Sequence, residues 1–303
     1  MKIIEKSVLS TDKIHYLKGK LYVPDGDIKG YFHVVHGMTE HIGRYDNFLT
    51  VLAENGYLSF AYDNLGHGNT ATCKEELGYI AKKDGYNYLV NDVGAFYNAV
   101  YEEYGDHPYY LMGHSMGSFI VRLAITKSVM PTKAIIMGTG GKNPLANVGL
   151  SVIKVLKVFC GEKHVSKLID KMAFGSYNNA FKSENHKRSW LTSDKDIWAK
   201  YDADPFCNYR FTLSAMHDLI TMNKNCNLKP WFESVSDKLP IFLVSGTLDP
   251  VGENGKAVTW VYETLKSYGK NASLKLYEGA RHEILNDFCK EQVILDILEF
   301  ISK

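Results

Sequence analysis

Six short apolar runs recur along the chain: YFHVVH (31–36), YLSFAY (57–62), YYLMG (109–113), AIIMG (134–138), PIFLVSG (240–246) and SLKLYEG (273–279). Most are continuous rather than alternating, which is the pattern of strands buried on both faces of a parallel sheet. Helical segments separate them. YDNFLTVLAENG ends at Gly56, YLVNDVGAFYNAVYEEYG at Gly105 and KAVTWVYETLKSYG at Gly269, each glycine serving as a C-cap signal, while MGSFIVRLAITKS follows the third run and EQVILDILEFIS closes the chain. Two alternating segments near the start, KIIEKSVL and KIHYLKGKLYVP, read as antiparallel strands that end at Pro24 and the Asp25-Gly26 turn. Strand and helix in alternation predict an α/β fold with a mostly parallel, doubly wound sheet.

The alternation breaks between about 141 and 212, where no strand candidate occurs. We read 141–212 as a helical cap inserted into a core made of 1–140 and 213–303, lying over the carboxyl ends of the strands, where open α/β sheets bind ligands. Its most apolar stretch, VGLSVIKVLKVFCGEK (148–163), admits two readings. Val152, Val155, Leu156 and Phe159 line an acyl tunnel or touch a membrane or micelle surface, or they are ordinary packing of the cap.

Composition narrows the class. Among 303 residues, 35 basic and 34 acidic side chains nearly cancel, so the chain offers no electrostatic footprint for nucleic acid. The five cysteines are odd in number and never form a Cys-x-x-Cys pair, which speaks against a disulfide framework and a zinc site. No stretch reaches transmembrane length, and charges interrupt the apolar runs of the first residues, so a cytoplasmic enzyme or binding protein is the simplest expectation.

The third strand candidate runs into GHSMGS (113–118). Glycines flanking one serine suit a sharp strand-to-helix turn that lifts the Ser115 hydroxyl out of the sheet, although the pentapeptide alone also fits an ordinary glycine-rich loop. A serine oxygen is a weak nucleophile until a base takes its proton and a third group orients that base. SGTLDPVG puts Asp249 just past one strand and GARHEIL puts His282 just past the last, in the chain order Ser, Asp, His that such triads take on this kind of sheet. Acyl transfer also needs donors for the developing oxyanion. The backbone N–H of Met116 is one, and Met38, in the loop HGMTEHIGRY (36–45), supplies the second.

HGMTEHIGRY, YDNLGHGNT, GHSMGS, DPFC, SGTLDPVG and GARHEIL together resemble the monoacylglycerol lipase and lysophospholipase branch of the α/β-hydrolases, the serine aminopeptidase S33-like group, nearly end to end. The resemblance implies an α/β-hydrolase fold and a serine hydrolase acting on small-molecule esters of fatty acyl chains, with Ser115 as nucleophile, Asp249 and His282 as acid and base, and Met38 and Met116 as oxyanion donors. It further implies that Glu40 and Arg44 help form a polar pocket for a glycerol head group; for Arg44 a salt bridge at a helix start is the alternative. Two positions depart from the pattern. Leu65 stands where many relatives have arginine, and Leu285 where some monoacylglycerol lipases have a second histidine.

The expected chemistry needs no metal and no organic cofactor. An amidase, a peptidase or a thioesterase would use the same triad and differ in the pocket, whereas a ligand-binding protein on this fold would have no use for all three triad residues.

Overall fold

The computed structural model describes residues 1–303. Eight strands, β1 (Lys2–Leu9), β2 (Tyr16–Val23), β3 (Gly30–Val35), β4 (Tyr57–Tyr62), β5 (Tyr109–His114), β6 (Lys133–Met137), β7 (Ile241–Gly246) and β8 (Ala272–Tyr277), form one sheet in the order β1-β2-β4-β3-β5-β6-β7-β8. β1 pairs antiparallel with β2, and β2 antiparallel with β4; every other pairing is parallel.

Period-two side-chain alternation divides the interior into two cores. On β5, Tyr109 and Leu111 enter one core while Tyr110 and Met112 enter the other, and β6 and β7 split in the same way at Ala134/Ile135 and Ile241/Phe242. Helices α1 (Asp46–Glu54) and α10 (Lys290–Ser302) cover one face through Phe48, Leu49, Leu52, Val293, Ile297 and Ile301. The other face is covered by α2 (Tyr86–Tyr104), α3 (Met116–Ala124), α7 (Leu213–Cys226), α8 (Lys229–Ser234) and α9 (Lys256–Ser267). Gly56, Gly105 and Gly269 all take positive φ at or just past helix ends, as their C-cap reading requires.

Between β6 and α7 the chain leaves the sheet and forms α4 (Ala146–Cys160), α5 (Lys167–Phe174), a 3-10 turn at Asn179–Glu184 and α6 (Lys195–Ala203). α4 packs along α7. Residue 65 belongs to the core: Leu65 is buried among apolar neighbours, so no ion pair forms there.

Candidate active site

Ser115 sits between the end of β5 and the start of α3 with φ 54° and ψ −119°, a conformation that non-glycine residues rarely adopt. Close packing enforces the turn. A Cβ on Gly117 would lie 2.0 Å from the Val35 carbonyl oxygen, so α3 can start against β3 only with glycine at this position. The loop after β3 closes on the serine from the other side, where a Cβ on Gly37 would come within 3.0 Å of the Ser115 Cβ.

Asp249 follows β7 and His282 follows β8, and the sheet brings them together: His282 Nδ1–H donates to Asp249 Oδ1 at 2.9 Å. Asp249 is fully buried. Burial opposes its ionisation, but His282, the Val251 N–H at 2.9 Å and the Ser245 hydroxyl at 3.0 Å overcome that penalty and hold its pKa below the ordinary carboxylate range. With Nδ1 committed to Asp249, His282 keeps Nε2 as its acceptor. The His282 ring lies 4.8 Å from that of His114 and 5.2 Å from that of Trp190, centroid to centroid.

Ser115, His282, Met38 and Met116 all line one cavity of about 1150 Å³. The Met38 N–H has no acceptor in the protein, and Met116 is the first residue of α3, where an N–H has no intrahelical partner. Phe119, Ile153, Ile169, Met216, Leu219 and Ile220 supply apolar walls.

Glu40 lines the same cavity, but Arg44 does not. Arg44 Nη1 donates to Glu40 Oε2 at 3.0 Å and to Glu283 Oε1 at 2.7 Å, and Nη2 donates to Glu283 Oε2 at 2.5 Å. Its guanidinium lies 4.6 Å above the Tyr201 ring. Arg44 thus makes a buried salt bridge, the alternative to a head-group contact. Glu40 Oε1 in turn accepts from the Gly37 N–H at 2.5 Å and the Tyr45 hydroxyl at 2.9 Å. His114 stands beside it, with Nδ1 3.2 Å from Glu40 Oε1 and Nε2 3.3 Å from the His282 carbonyl oxygen. Burial would raise the Glu40 pKa, yet His114 and Arg44 hold it well below the usual value; burial would lower the His114 pKa, yet Glu40 raises it.

Leu156 and Phe159 stand outside the cavity lining. The α4 residues that reach the cavity include Ala146, Gly149 and Ile153. Leu156 is half-buried against the core, and Phe159 is 81% exposed. Helical phase is the reason: at about 100° per residue, Phe159 points roughly 120° away from Ile153. Val152, like Leu156, packs against the core, and Val155 is exposed. Leu285 packs beneath the sheet face covered by α1 and α10 and lies outside the cavity.

Several site residues carried no sequence signal of their own. His114 and Glu283 merely adjoin Ser115 and His282, while Trp190 and Tyr201 come from the inserted segment. That segment is bonded to the loops around the site. His282 N–H donates to the Trp190 carbonyl at 3.5 Å and Glu283 N–H to the Leu191 carbonyl at 2.7 Å; Arg281 Nη1 donates to the Ser189 carbonyl at 2.5 Å, and the Tyr201 hydroxyl to the Thr39 carbonyl at 2.7 Å. His41, Asp204 and Cys207 hold three potential metal-ligating atoms within 4.8 Å of one another. His41 Nε2–H already donates to Asp204 at 2.8 Å, and burial pushes the Cys207 thiol pKa up, so the trio reads as a tie between two loops rather than a metal site.

The arrangement has relatives. A monoglyceride lipase of Mus musculus is 27% identical over 267 residues, 88% of this chain and 80% of that protein. A monoacylglycerol lipase of Mycolicibacterium smegmatis is 24% identical over 285 residues, covering 93% and 91%. The crystal structure of a thermostable carboxyl esterase from Bacillus coagulans in complex with glycerol superposes with a TM-score of 0.93 at 30% identity, covering 100% of this chain and 98% of that one. The family model described as serine aminopeptidase, S33, matches residues 26–288, and the chain belongs to that family of α/β-hydrolases.

Proposed function

We propose that the chain hydrolyses carboxylic esters of fatty acyl chains, monoacylglycerol-like or lysophospholipid-like, through an acyl-enzyme on Ser115. The observation that carries this reading is a serine in a strained turn opening onto the same cavity as a histidine that is hydrogen-bonded to a buried aspartate. Ser115 Oγ attacks the ester carbonyl while His282 Nε2 takes its proton, and Asp249 stabilises the imidazolium that forms. The N–H groups of Met38 and Met116 receive the developing oxyanion. Collapse of the tetrahedral intermediate expels the alcohol, which leaves with the proton from His282. Water then enters, gives its proton to His282, attacks the acyl carbon and frees the fatty acid and Ser115.

The apolar walls suit an acyl chain, each buried methylene contributing about 0.8 kcal/mol. Of the carboxylates lining the cavity, Glu40 and Glu283 are occupied by Arg44 and Asp170 by Arg210, while Glu253 is exposed, so the preference for esters over peptides rests on the apolar walls. Residues 141–212 act as the cap of a core formed by 1–140 and 213–303. On the cap, exposed Val155, Val158, Phe159, Leu168 and Met172 stand among exposed Lys154, Lys167 and Lys171, a composition suited to transient contact with a membrane or micelle. No helix is long and apolar enough to cross a membrane, and none of the five cysteines is in a disulfide; a cytoplasmic site of action is the reading we take from those thiols.

Labelling by a fluorophosphonate and hydrolysis of a panel of monoacylglycerols, lysophospholipids, p-nitrophenyl esters and peptide anilides test the proposal. Ser115→Ala should abolish both labelling and turnover on the esters. Near-wild-type hydrolysis by that variant would refute it.

A further inference from the structure

Glu283 is the residue after His282, and its carboxylate is spent on Arg44. The guanidinium grips both Glu283 oxygens, at 2.7 and 2.5 Å, and one Glu40 oxygen, at 3.0 Å. All three side chains are buried or nearly so, with 4% exposure for each carboxylate and 11% for the guanidinium. Glu40 continues the connection by accepting the Gly37 N–H, one residue before Met38. A continuous path thus runs from the residue following the base, through one planar cation, to the peptide preceding an oxyanion donor.

Two properties of the path matter. A fork-to-fork contact between guanidinium and carboxylate fixes direction as well as distance, which a single hydrogen bond does not. Charge also balances only as a set: two carboxylates face one guanidinium, and His114 Nδ1, 3.2 Å from Glu40 Oε1, completes neutrality when the ring carries both protons. The His114 Nε2–H to His282 carbonyl contact then joins the second end of the path to the backbone of the base. Removing one member leaves the others buried and unbalanced, so the set holds its geometry as a unit. The surroundings reinforce it: Glu283 N–H is held by the Leu191 carbonyl, Asn286 Nδ2 donates to Glu283 Oε2 at 3.3 Å, and the Tyr201 ring lies under Arg44.

We propose that Glu283 is a positioning residue for acyl transfer: through Arg44 and Glu40 it locks the loop bearing His282 to the loop bearing the Met38 N–H. The inference rests on the proposed roles of His282 and Met38. Acyl transfer requires base and oxyanion donor to be aligned on one carbonyl at once, and a misplacement of about 1 Å can cost about a hundredfold in rate. Glu283 lines the same cavity, but its carboxylate is held by Arg44, and ground-state binding of an acyl chain uses the apolar walls. Its removal should therefore appear in kcat and spare KM.

The test compares Glu283→Gln with the wild-type enzyme on a soluble p-nitrophenyl ester, with active sites counted by stoichiometric phosphonate labelling so that unfolded protein is excluded. The expected result is a fall in kcat per labelled site of at least about tenfold with KM within about threefold of wild type. Smaller losses, losses explained wholly by fewer labelled sites, or a change confined to KM would overturn the inference. Should Glu283→Gln not fold, Glu283→Asp takes its place under the same criteria, since it keeps the charge and withdraws the carboxylate by one methylene. Ser115→Ala is run alongside. Activity in that variant would defeat the triad itself, whereas an inactive Ser115→Ala beside an unimpaired Glu283→Gln would defeat the lock alone.

Discussion

His282 and Asp249 meet through a 2.9 Å hydrogen bond between Nδ1 and Oδ1, with the carboxylate sealed from solvent and given two further donors. An amide in place of the carboxylate would stabilise the wrong imidazole tautomer and leave the imidazolium without its counter-charge. Asp249→Asn should therefore lower kcat by about 10⁴-fold while leaving KM close to wild type. Steady-state kinetics on a soluble ester checks this; a loss below tenfold would mean another carboxylate orients His282.

Asp218 presents the opposite electrostatic case. Burial, countered only in part by the backbone N–H groups of Tyr86 and Gly85, pushes its pKa up to about 7. The folded protein thus holds a proton there that the unfolded chain releases near pH 4, so stability falls as pH rises from about 4 to about 7 and then levels off. Asp218→Asn should stabilise the fold, and so raise the melting temperature, by a free energy that grows over that interval and plateaus above it, with a ceiling of about a few kcal/mol. Thermal unfolding of both proteins at several pH values measures it, and a gain independent of pH would contradict the assignment.

The two faces of α4 give contrasting expectations. Phe159 is exposed, so Phe159→Asp should leave the melting temperature and the hydrolysis of a soluble butyrate ester unchanged, yet slow the hydrolysis of monoacylglycerol dispersed in anionic vesicles. Ile153 is buried and lines the cavity; Ile153→Ala should cost about 2–5 kcal/mol of stability and reduce the preference for long acyl chains. Equal behaviour of Phe159→Asp on both substrates would remove the surface contact from the proposal.

Gly117→Ala probes the turn that carries the serine. The added methyl would meet the Val35 carbonyl at 2.0 Å, and relief requires α3 to move off β3. We expect a stability loss of about 1–3 kcal/mol in denaturant titration, accompanied by reduced kcat as Ser115 shifts.

Much of this architecture was legible because its signals are local. Strands buried on both faces read as unbroken apolar runs, Gly56, Gly105 and Gly269 marked helix ends, and Ser115, Asp249 and His282 stood at strand termini in chain order. What escaped depends on distance or phase. The Arg44–Glu283 pair joins residues 239 positions apart, and neither neighbourhood announces the other. α4 is apolar on so many sides that periodicity could not choose its cavity face, which is why tunnel and surface readings both stood for Leu156 and Phe159 and Ile153 was not singled out. α7 and α8 lacked a clean stripe: α7 mixes Asp218, Asn223 and Lys224 with its core residues, and only packing against α3 and α4 defines its inner face.

The main-chain bonds from Ser189, Trp190 and Leu191 to the His282 loop, with the Tyr201 hydroxyl on Thr39, make the later part of the insertion a buttress of the reaction centre. The earlier part, α4 and α5, supplies cavity wall and outer surface without any of those bonds. The bonds to the His282 loop therefore come from the later piece alone, while both pieces supply cavity wall. A chimaera that exchanges 142–175 for the corresponding stretch of a relative would redraw part of the wall while leaving the scaffolding of the chemistry in place.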